Sequence, residues 1–207
     1  AALEADGGEW ATKELSVLHS KSPQTCKVAL RQLKEGGEMH DFAAQMTQMA
    51  RALGMNNTQF RNANGLTASG HYSTARDMTT LGRRLFYDFP QYYSIFSRRS
   101  ADAGIATVSS TNKRFLDSYQ GADGIKTGYT RAAGFNLTAS AKRGSKRIVA
   151  TVLGGTSTAH RNSVMAELLD AGFGKAPTRV REVKPAPPQL MVEKNGAAHG
   201  AGRAQPA

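Results

Sequence analysis

The sequence is poor in the residues that build disulfides, metal sites and membrane helices. Cys26 is the single cysteine among 207 residues, which excludes an intramolecular disulfide and leaves the redox compartment open. The five histidines are scattered, and none stands at zinc-ligand spacing from another ligand, so no metal site is predicted. No apolar run approaches the roughly 18 residues that a membrane helix needs.

Acidic residues are also scarce. Asp and Glu number 16 against 27 Lys and Arg, which gives a formal net charge of +11. This charge favours polyanions, anionic membrane surfaces or acidic substrates as partners, and it says nothing about the fold. The opening residues, AALEADGGEW, lack both a signal peptide's charged start and its apolar stretch, and they do not begin with Met. We therefore interpret the sequence as a fragment or a processed product.

The composition changes near the C-terminus. Five of the seven prolines fall between Lys175 and Ala207, among Ala, Gly and Lys, with little apolar periodicity. Such a segment is typical of a disordered linker. We predict one domain over residues 1–174 and a tail over residues 175–207, because the remaining length suffices for one core.

Apolar residues recur at helical spacing in three places. The first stripe is Phe42, Met46, Met49 and Leu53, which Gly54 can end, and its Met residues are interpreted as core filling. The second begins at a capping box, Thr74 with Asp77, and continues through Met78, Leu81 and Leu85. The third, after GGTSTAH, comprises Val164, Leu168, Leu169 and Phe173.

Between the second and third stripes the period changes to two. Phe135, Leu137 and Ala139 alternate with polar residues, and RIVATVL (residues 147–153) reads as a more buried strand. KRGSK between them suits a hairpin, and a further strand is predicted around residues 125–129. The fold class is therefore α+β, with an antiparallel sheet flanked by helices.

One of these strands carries an unusual tripeptide. Lys126, Thr127 and Gly128 include a charge and a glycine, both of which weaken strand pairing. At a sheet edge they could accept a peptide by backbone pairing, with the ammonium and hydroxyl near its carboxylate end. The alternative is a glycine-rich turn with a solvated lysine.

The neighbourhood of this tripeptide resembles a known family. DGIKTGYTRAAGFNLTASA, together with NNTQFRNANGL and HYSTARDM, closely resembles the D-alanyl-D-alanine carboxypeptidases of serine peptidase family S11. These enzymes are low-molecular-mass penicillin-binding proteins and share the transpeptidase fold of class A β-lactamases. The resemblance covers roughly residues 22–173, and it implies a partial fold of this type.

In that family a Ser-x-x-Lys pair forms an acyl-enzyme with the penultimate D-Ala of peptidoglycan stem peptides. Ser-x-Asn assists proton transfer, and Lys-Thr-Gly binds the substrate. By resemblance, Lys126, Thr127 and Gly128 match the third motif unchanged, which makes all three substrate-binding candidates and Lys126 a catalytic candidate together with Ser22. Ser22 falls at the second motif, but Pro23 and Gln24 replace its remaining residues, which puts the proton relay in question. Ser22 followed by Pro23 is also an ordinary helix start.

The Ser-x-x-Lys motif of the family should precede Ser22 by several dozen residues, and residues 1–21 do not contain it. Ser110 to Lys113, STNK, satisfies the pattern literally. We interpret this match as a coincidence, because TNKRFL resembles the segment that the family places just before its Lys-Thr-Gly strand. We therefore expect the isolated chain to be inactive.

Arg161 lies where the family commonly carries an arginine, after the Gly-Gly end of a strand. Its guanidinium is predicted to bind a terminal carboxylate, with a solvated helix residue as the alternative.

The resemblance implies a serine-type D-Ala-D-Ala carboxypeptidase whose partners are the peptidoglycan pentapeptide stem and, as inhibitors, β-lactams. No cofactor is implied. The parent protein is expected to be exported to the periplasm or another extracytoplasmic space, with any membrane association supplied by segments outside this chain. Two alternatives remain: a noncatalytic peptidoglycan-binding module, and a basic nucleic-acid binder, although the chain has no nucleic-acid-binding signature.

Overall fold

The computed structural model describes residues 39–179 and 181–186, and for residues 39–41 the backbone alone. Helices and an antiparallel sheet form an α+β fold, as predicted. They are α1 (Met39–Ala52), α2 (Ala75–Asp88), a 3-10 helix (Pro90–Ser97), β1 (Ser100–Asp102), β2 (Thr107–Ser109), α3 (Lys113–Ser118), β3 (Ala122–Thr130), β4 (Gly134–Arg143), β5 (Lys146–Gly155) and α4 (Thr158–Lys175).

The three long strands form one antiparallel sheet in the order β3-β4-β5. The predicted strands are confirmed, and the hairpin is tighter than the five residues expected. β4 ends at Arg143 and β5 begins at Lys146, so only Gly144 and Ser145 turn the chain. Gly144 has a φ of 59°, in the left-handed region that two-residue hairpins use. β1 and β2 pair separately as a short ribbon.

Helix α4 covers one face of the sheet and closes the main core. Met165 and Leu169 are fully buried there. They pack in a cluster with six residues of α3 and its end, β4 and β5: Phe115, Tyr119, Leu137, Ala139, Ala141 and Val152. The predicted helix is confirmed. Met165 and Leu169 stand four residues apart, so they lie on the same face of α4, and that face is the one that packs on the sheet. Leu168 lies beside this face and is 44% exposed.

Helix α2 packs on the opposite face at very short range. A Cβ added at Gly82 would stand 2.9 Å from Cδ1 of Ile125, 3.0 Å from Thr138 and 3.1 Å from Val149. The interface also contains hydroxyls, since Thr79 bonds Thr151 at 2.9 Å and Thr151 bonds Thr138 at 3.0 Å. A glycine in mid-helix is therefore required by packing rather than by backbone conformation.

The start of α2 confirms the N-cap at Thr74, whose hydroxyl accepts from the backbone N–H of Asp77 at 3.1 Å. The Asp77 carboxylate has another role than the capping box implies. It is buried, and its Oδ2 accepts from the backbone N–H of Asn57 and from the Thr58 hydroxyl. Asp77 thus fastens the loop after α1 to α2.

The predicted helix α1 is confirmed, but its stripe is less buried than expected. Ala43 and Ala50 are buried, whereas Phe42 is 46% exposed. Met46 and Met49 border an apolar cavity of about 350 Å³, rather than filling a closed core.

Part of the predicted tail lies against α2. Nη2 of Arg83 donates to the carbonyl of Val183 at 2.9 Å, and Nη2 of Arg84 donates to the carbonyl of Ala186 at 2.8 Å. The domain boundary after residue 174 stays a prediction. Among the described helices, none is long and apolar enough to cross a membrane.

We predict that Gly82→Val lowers the free energy of unfolding by roughly 1–3 kcal/mol, because the added side chain overpacks the contact between helix and sheet. Urea denaturation measures this change. The control is Gly174→Val, also in a helix, where an added Cβ meets nothing within 4 Å. Equal effects of the two substitutions would contradict the close contact of α2 with the sheet.

Candidate functional site

The tripeptide Lys126–Gly128 lies on β3, which has a neighbouring strand on one side only within the described sheet. Lys126 pairs with Thr138, Thr127 with Leu137 and Gly128 with Asn136 on β4. Among the described residues no strand pairs with the other edge of β3. The turn alternative is wrong for these three residues, because they sit in the interior of a strand of nine residues.

Lys126 projects on the α2 side of the sheet. It stands opposite Thr138, whose hydroxyl chain leads through Thr151 to Thr79 of α2. Nζ of Lys126 donates to the carbonyl of Thr127 at 2.6 Å. Partial desolvation lowers the pKa of the Lys126 ammonium from its usual value. The cation thus lies at the strand edge, close to its own backbone.

Thr127 projects on the opposite side, because side chains alternate along a strand. Its cross-strand partner is Leu137, a member of the α4 core. Thr127 is 8% exposed, and its Oγ1 lies 2.6 Å from Oγ1 of Thr111, the residue before the α3 N-cap Asn112. Lys126 and Thr127 therefore share the strand edge but occupy different sides of it.

Gly128 faces open space. A Cβ added there meets nothing within 4 Å, and its φ is not in the left-handed region. Neither packing inside the described structure nor backbone conformation requires a glycine at this position. What a side chain would change is the access of another molecule to the edge of β3.

Arg161 lies in the first turn of α4 and is 4% exposed. The solvated-residue alternative is therefore wrong. Its Nε and Nη2 donate to Oδ1 of Asn162 at 3.1 and 2.9 Å, and burial lowers the pKa of its guanidinium. It packs against Gly155, where an added Cβ would come within 2.9 Å of Cβ of Arg161. Asn162 is neutral, and no carboxylate of the described residues pairs with Arg161.

The predicted catalytic Ser22, with Pro23 and Gln24, lies outside the described residues. The literal Ser-x-x-Lys match is described, and its geometry does not pair the two side chains. Nζ of Lys113 is 2.6 Å from Oδ2 of Asp117, and Oγ of Ser110 accepts from the backbone N–H of Asn112. Lys113 is thus engaged by a carboxylate along α3.

Sequence reasoning missed the residues that support the tripeptide. Asp123, three positions before Lys126, accepts from Ser140 of β4 and pairs with Arg147 of β5. The Ser140 hydroxyl also contacts the buried phenol of Tyr93, whose pKa is raised by desolvation. The signal in the sequence is the acidic residue itself, since Asp123 lies three positions before Lys126 on the same strand.

Solved structures of penicillin-binding proteins share this α+β arrangement. The D-alanyl-D-alanine carboxypeptidase DacD from Francisella tularensis superposes with a TM-score of 0.63 at 30% identity, covering 70% of this chain and 47% of that one. Penicillin-binding protein D2 from Listeria monocytogenes, solved in its ampicillin-bound form, gives 0.60 at 34% identity, covering 64% and 56%. The fold is therefore that of the penicillin-binding DD-peptidases.

The chain belongs to the D-alanyl-D-alanine carboxypeptidase family, peptidase S11, whose family model matches residues 7–157. DacF of Bacillus subtilis is 37% identical over 178 residues, covering 83% of this chain and 45% of the relative. DacA of Escherichia coli is 38% identical over 137 residues, covering 66% and 34%. The chain thus spans between a third and a half of the length of these relatives.

We predict that the Lys126 ammonium titrates below the ordinary lysine value of 10.5, because desolvation penalises its charged form. As pH rises, Lys126 should lose its proton before a solvated lysine does. A pH titration by NMR of isotope-labelled lysine side chains checks this. Lys126→Arg identifies the Lys126 resonance, because that resonance disappears in the variant. A titration midpoint at or above 10.5 would contradict the desolvation of the ammonium.

Proposed function

We propose that this chain carries the substrate-binding part of a serine-type D-Ala-D-Ala carboxypeptidase that acts on peptidoglycan stem peptides outside the cytoplasm. The observation that carries the proposal is the free edge of β3, where Lys126, Thr127 and an unobstructed Gly128 follow one another. Membership of the S11 family supports the reaction class. The geometry of the β3 edge supports substrate binding by this chain.

Recognition begins with the backbone. A peptide that pairs with β3 by backbone hydrogen bonds adds a strand to the sheet. Gly128 leaves room for that peptide. The Lys126 ammonium then supplies positive charge on one side of the edge, and the Thr127 hydroxyl supplies a donor on the other.

Arg161 is proposed to contribute to the attraction of the terminal carboxylate. It belongs to α4, which covers the sheet face toward which Thr127 projects. A buried guanidinium with a neutral hydrogen-bond partner has a long-range field that solvent screens weakly. This field favours an anionic group near the Thr127 side of the strand.

The acyl-enzyme step belongs to a serine activated by a lysine, as in the family. Ser110 and Lys113 do not supply this pair, because Asp117 holds the lysine. We propose that Ser22 assists proton transfer in the whole protein, and that these 207 residues alone bind the stem peptide without hydrolysing it. β-Lactams, whose carboxylate resembles the peptide terminus, should bind at the same edge.

A noncatalytic peptidoglycan-binding module is the second candidate, favoured by the engaged Lys113. Covalent labelling by a fluorescent penicillin separates the two candidates. The carboxypeptidase proposal expects labelling of the whole protein, which should be lost in Lys126→Ala. A whole protein that binds purified sacculi and is never labelled would establish the second candidate instead.

We predict that Gly128→Val weakens binding of an acetylated peptide ending in D-Ala-D-Ala, because the new side chain fills the space that the peptide backbone needs. Isothermal titration calorimetry measures the loss, on the order of tenfold or more in Kd. The free energy of unfolding should change by less than about 0.5 kcal/mol, since nothing contacts the added atoms.

Gly174→Val is the matched control for this experiment, since it adds the same side chain to open space on α4. It should bind the peptide as the unmodified chain does. If Gly128→Val retained full affinity, the peptide would not lie along β3, and the proposed function would lose its main support.

A further inference from the structure

A second hydroxyl reaches β3 from the turn before α3. Oγ1 of Thr111 and Oγ1 of Thr127 lie 2.6 Å apart, although 16 residues separate them in the chain. Thr127 is buried, and Thr111 is exposed at the rim. In such a pair one hydroxyl donates to the other, so one of the two hydrogens is left for another acceptor.

The same turn holds a buried amide with no partner among the described residues. Asn112 is 2% exposed, and neither its Nδ2 nor its Oδ1 has a hydrogen-bond partner there. Buried side-chain amides normally have partners. Since Asn112 directly follows Thr111, polar groups of this turn lack partners among the described residues, as expected of a place that receives a polar group.

We propose that Thr111 is a second ligand for the terminal carboxylate of the peptide, beside Thr127, and that it makes the site selective for a free C-terminus. This inference rests on the proposed function, in which a stem peptide lies along β3. When the carboxylate binds, the hydrogen bond between the two hydroxyls is exchanged for bonds to the ligand, and each hydroxyl donates its one hydrogen to one of the two carboxylate oxygens. The Lys126 ammonium at the same edge adds favourable charge.

The geometry distinguishes a carboxylate from an amide. A C-terminal carboxamide is neutral and offers one acceptor oxygen, whereas a carboxylate is negatively charged and offers two. Hydrogen bonds to a charged group are also stronger than those between neutral groups. Thr111 should therefore favour removal of a terminal residue over cleavage within a longer or cross-linked peptide.

The test compares two acetylated peptides that both end in D-Ala-D-Ala, one with a free carboxylate and one amidated, binding to the full chain in calorimetry. The unmodified chain should prefer the free acid. Thr111→Val should weaken binding of the acid by roughly ten- to a hundredfold and binding of the amide much less, because a bond to a charged group is stronger than a bond to a neutral one. Thr111→Ser should restore the preference.

Thr67→Val is the control, because the Thr67 hydroxyl makes a similar pair with Thr130, 3.1 Å away, at the far end of β3. It should leave both affinities unchanged. Thr111→Ala provides a second deletion of the hydroxyl, and circular dichroism verifies that each variant is folded.

The outcomes separate this inference from the proposal on which it rests. If neither peptide binds the unmodified chain, the proposed function itself fails. If the acid is preferred and both Thr111→Val and Thr111→Ala keep that preference, the inference alone is overturned. An equal loss for acid and amide would also overturn it, since that result indicates a structural role.

Discussion

The candidate site depends on the antiparallel pairing of β3 with β4. Because side chains alternate along a strand, a slip of one residue would exchange the faces of Lys126 and Thr127. Asp123 opposes such a slip, since its carboxylate contacts both Ser140 of β4 and Arg147 of β5. One carboxylate thus ties the three strands together, three residues before Lys126. The guanidinium of Arg147 is in turn held 4.5 Å from the ring centroid of Phe86.

The two faces of the sheet differ in the side chains that line them. The α4 face is apolar, and Thr127 enters it with its hydroxyl bonded to Thr111. The α2 face has a row of hydroxyls from Thr138 to Thr79, and Lys126 stands at the end of that row. The ammonium itself donates to the carbonyl of Thr127, and desolvation lowers its pKa.

Much of this architecture could be predicted from the sequence, because it follows from periodicity. The strands from residue 122 to 155 and the helices α1, α2 and α4 were all indicated by apolar spacing or capping. Leu168 and Met165 show the limit of the method, since a helical stripe does not say which of two adjacent rows faces the sheet. The bond between Thr111 and Thr127 was beyond reach, because no local pattern reports a contact across 16 residues. The burial of Arg161 likewise depends on how closely α4 approaches Gly155.

The described core is built largely from contacts that are close in sequence. β3, β4 and β5 form a continuous meander, and α4 follows β5 after two residues. The core that joins them draws on residues from Phe115 to Leu169. Local pairing has a low entropic cost of loop closure, so this unit can set the geometry of Lys126, Thr127 and Gly128 by itself. The tripeptide thus receives its position from β4 and the Thr111 turn, both of which belong to this unit.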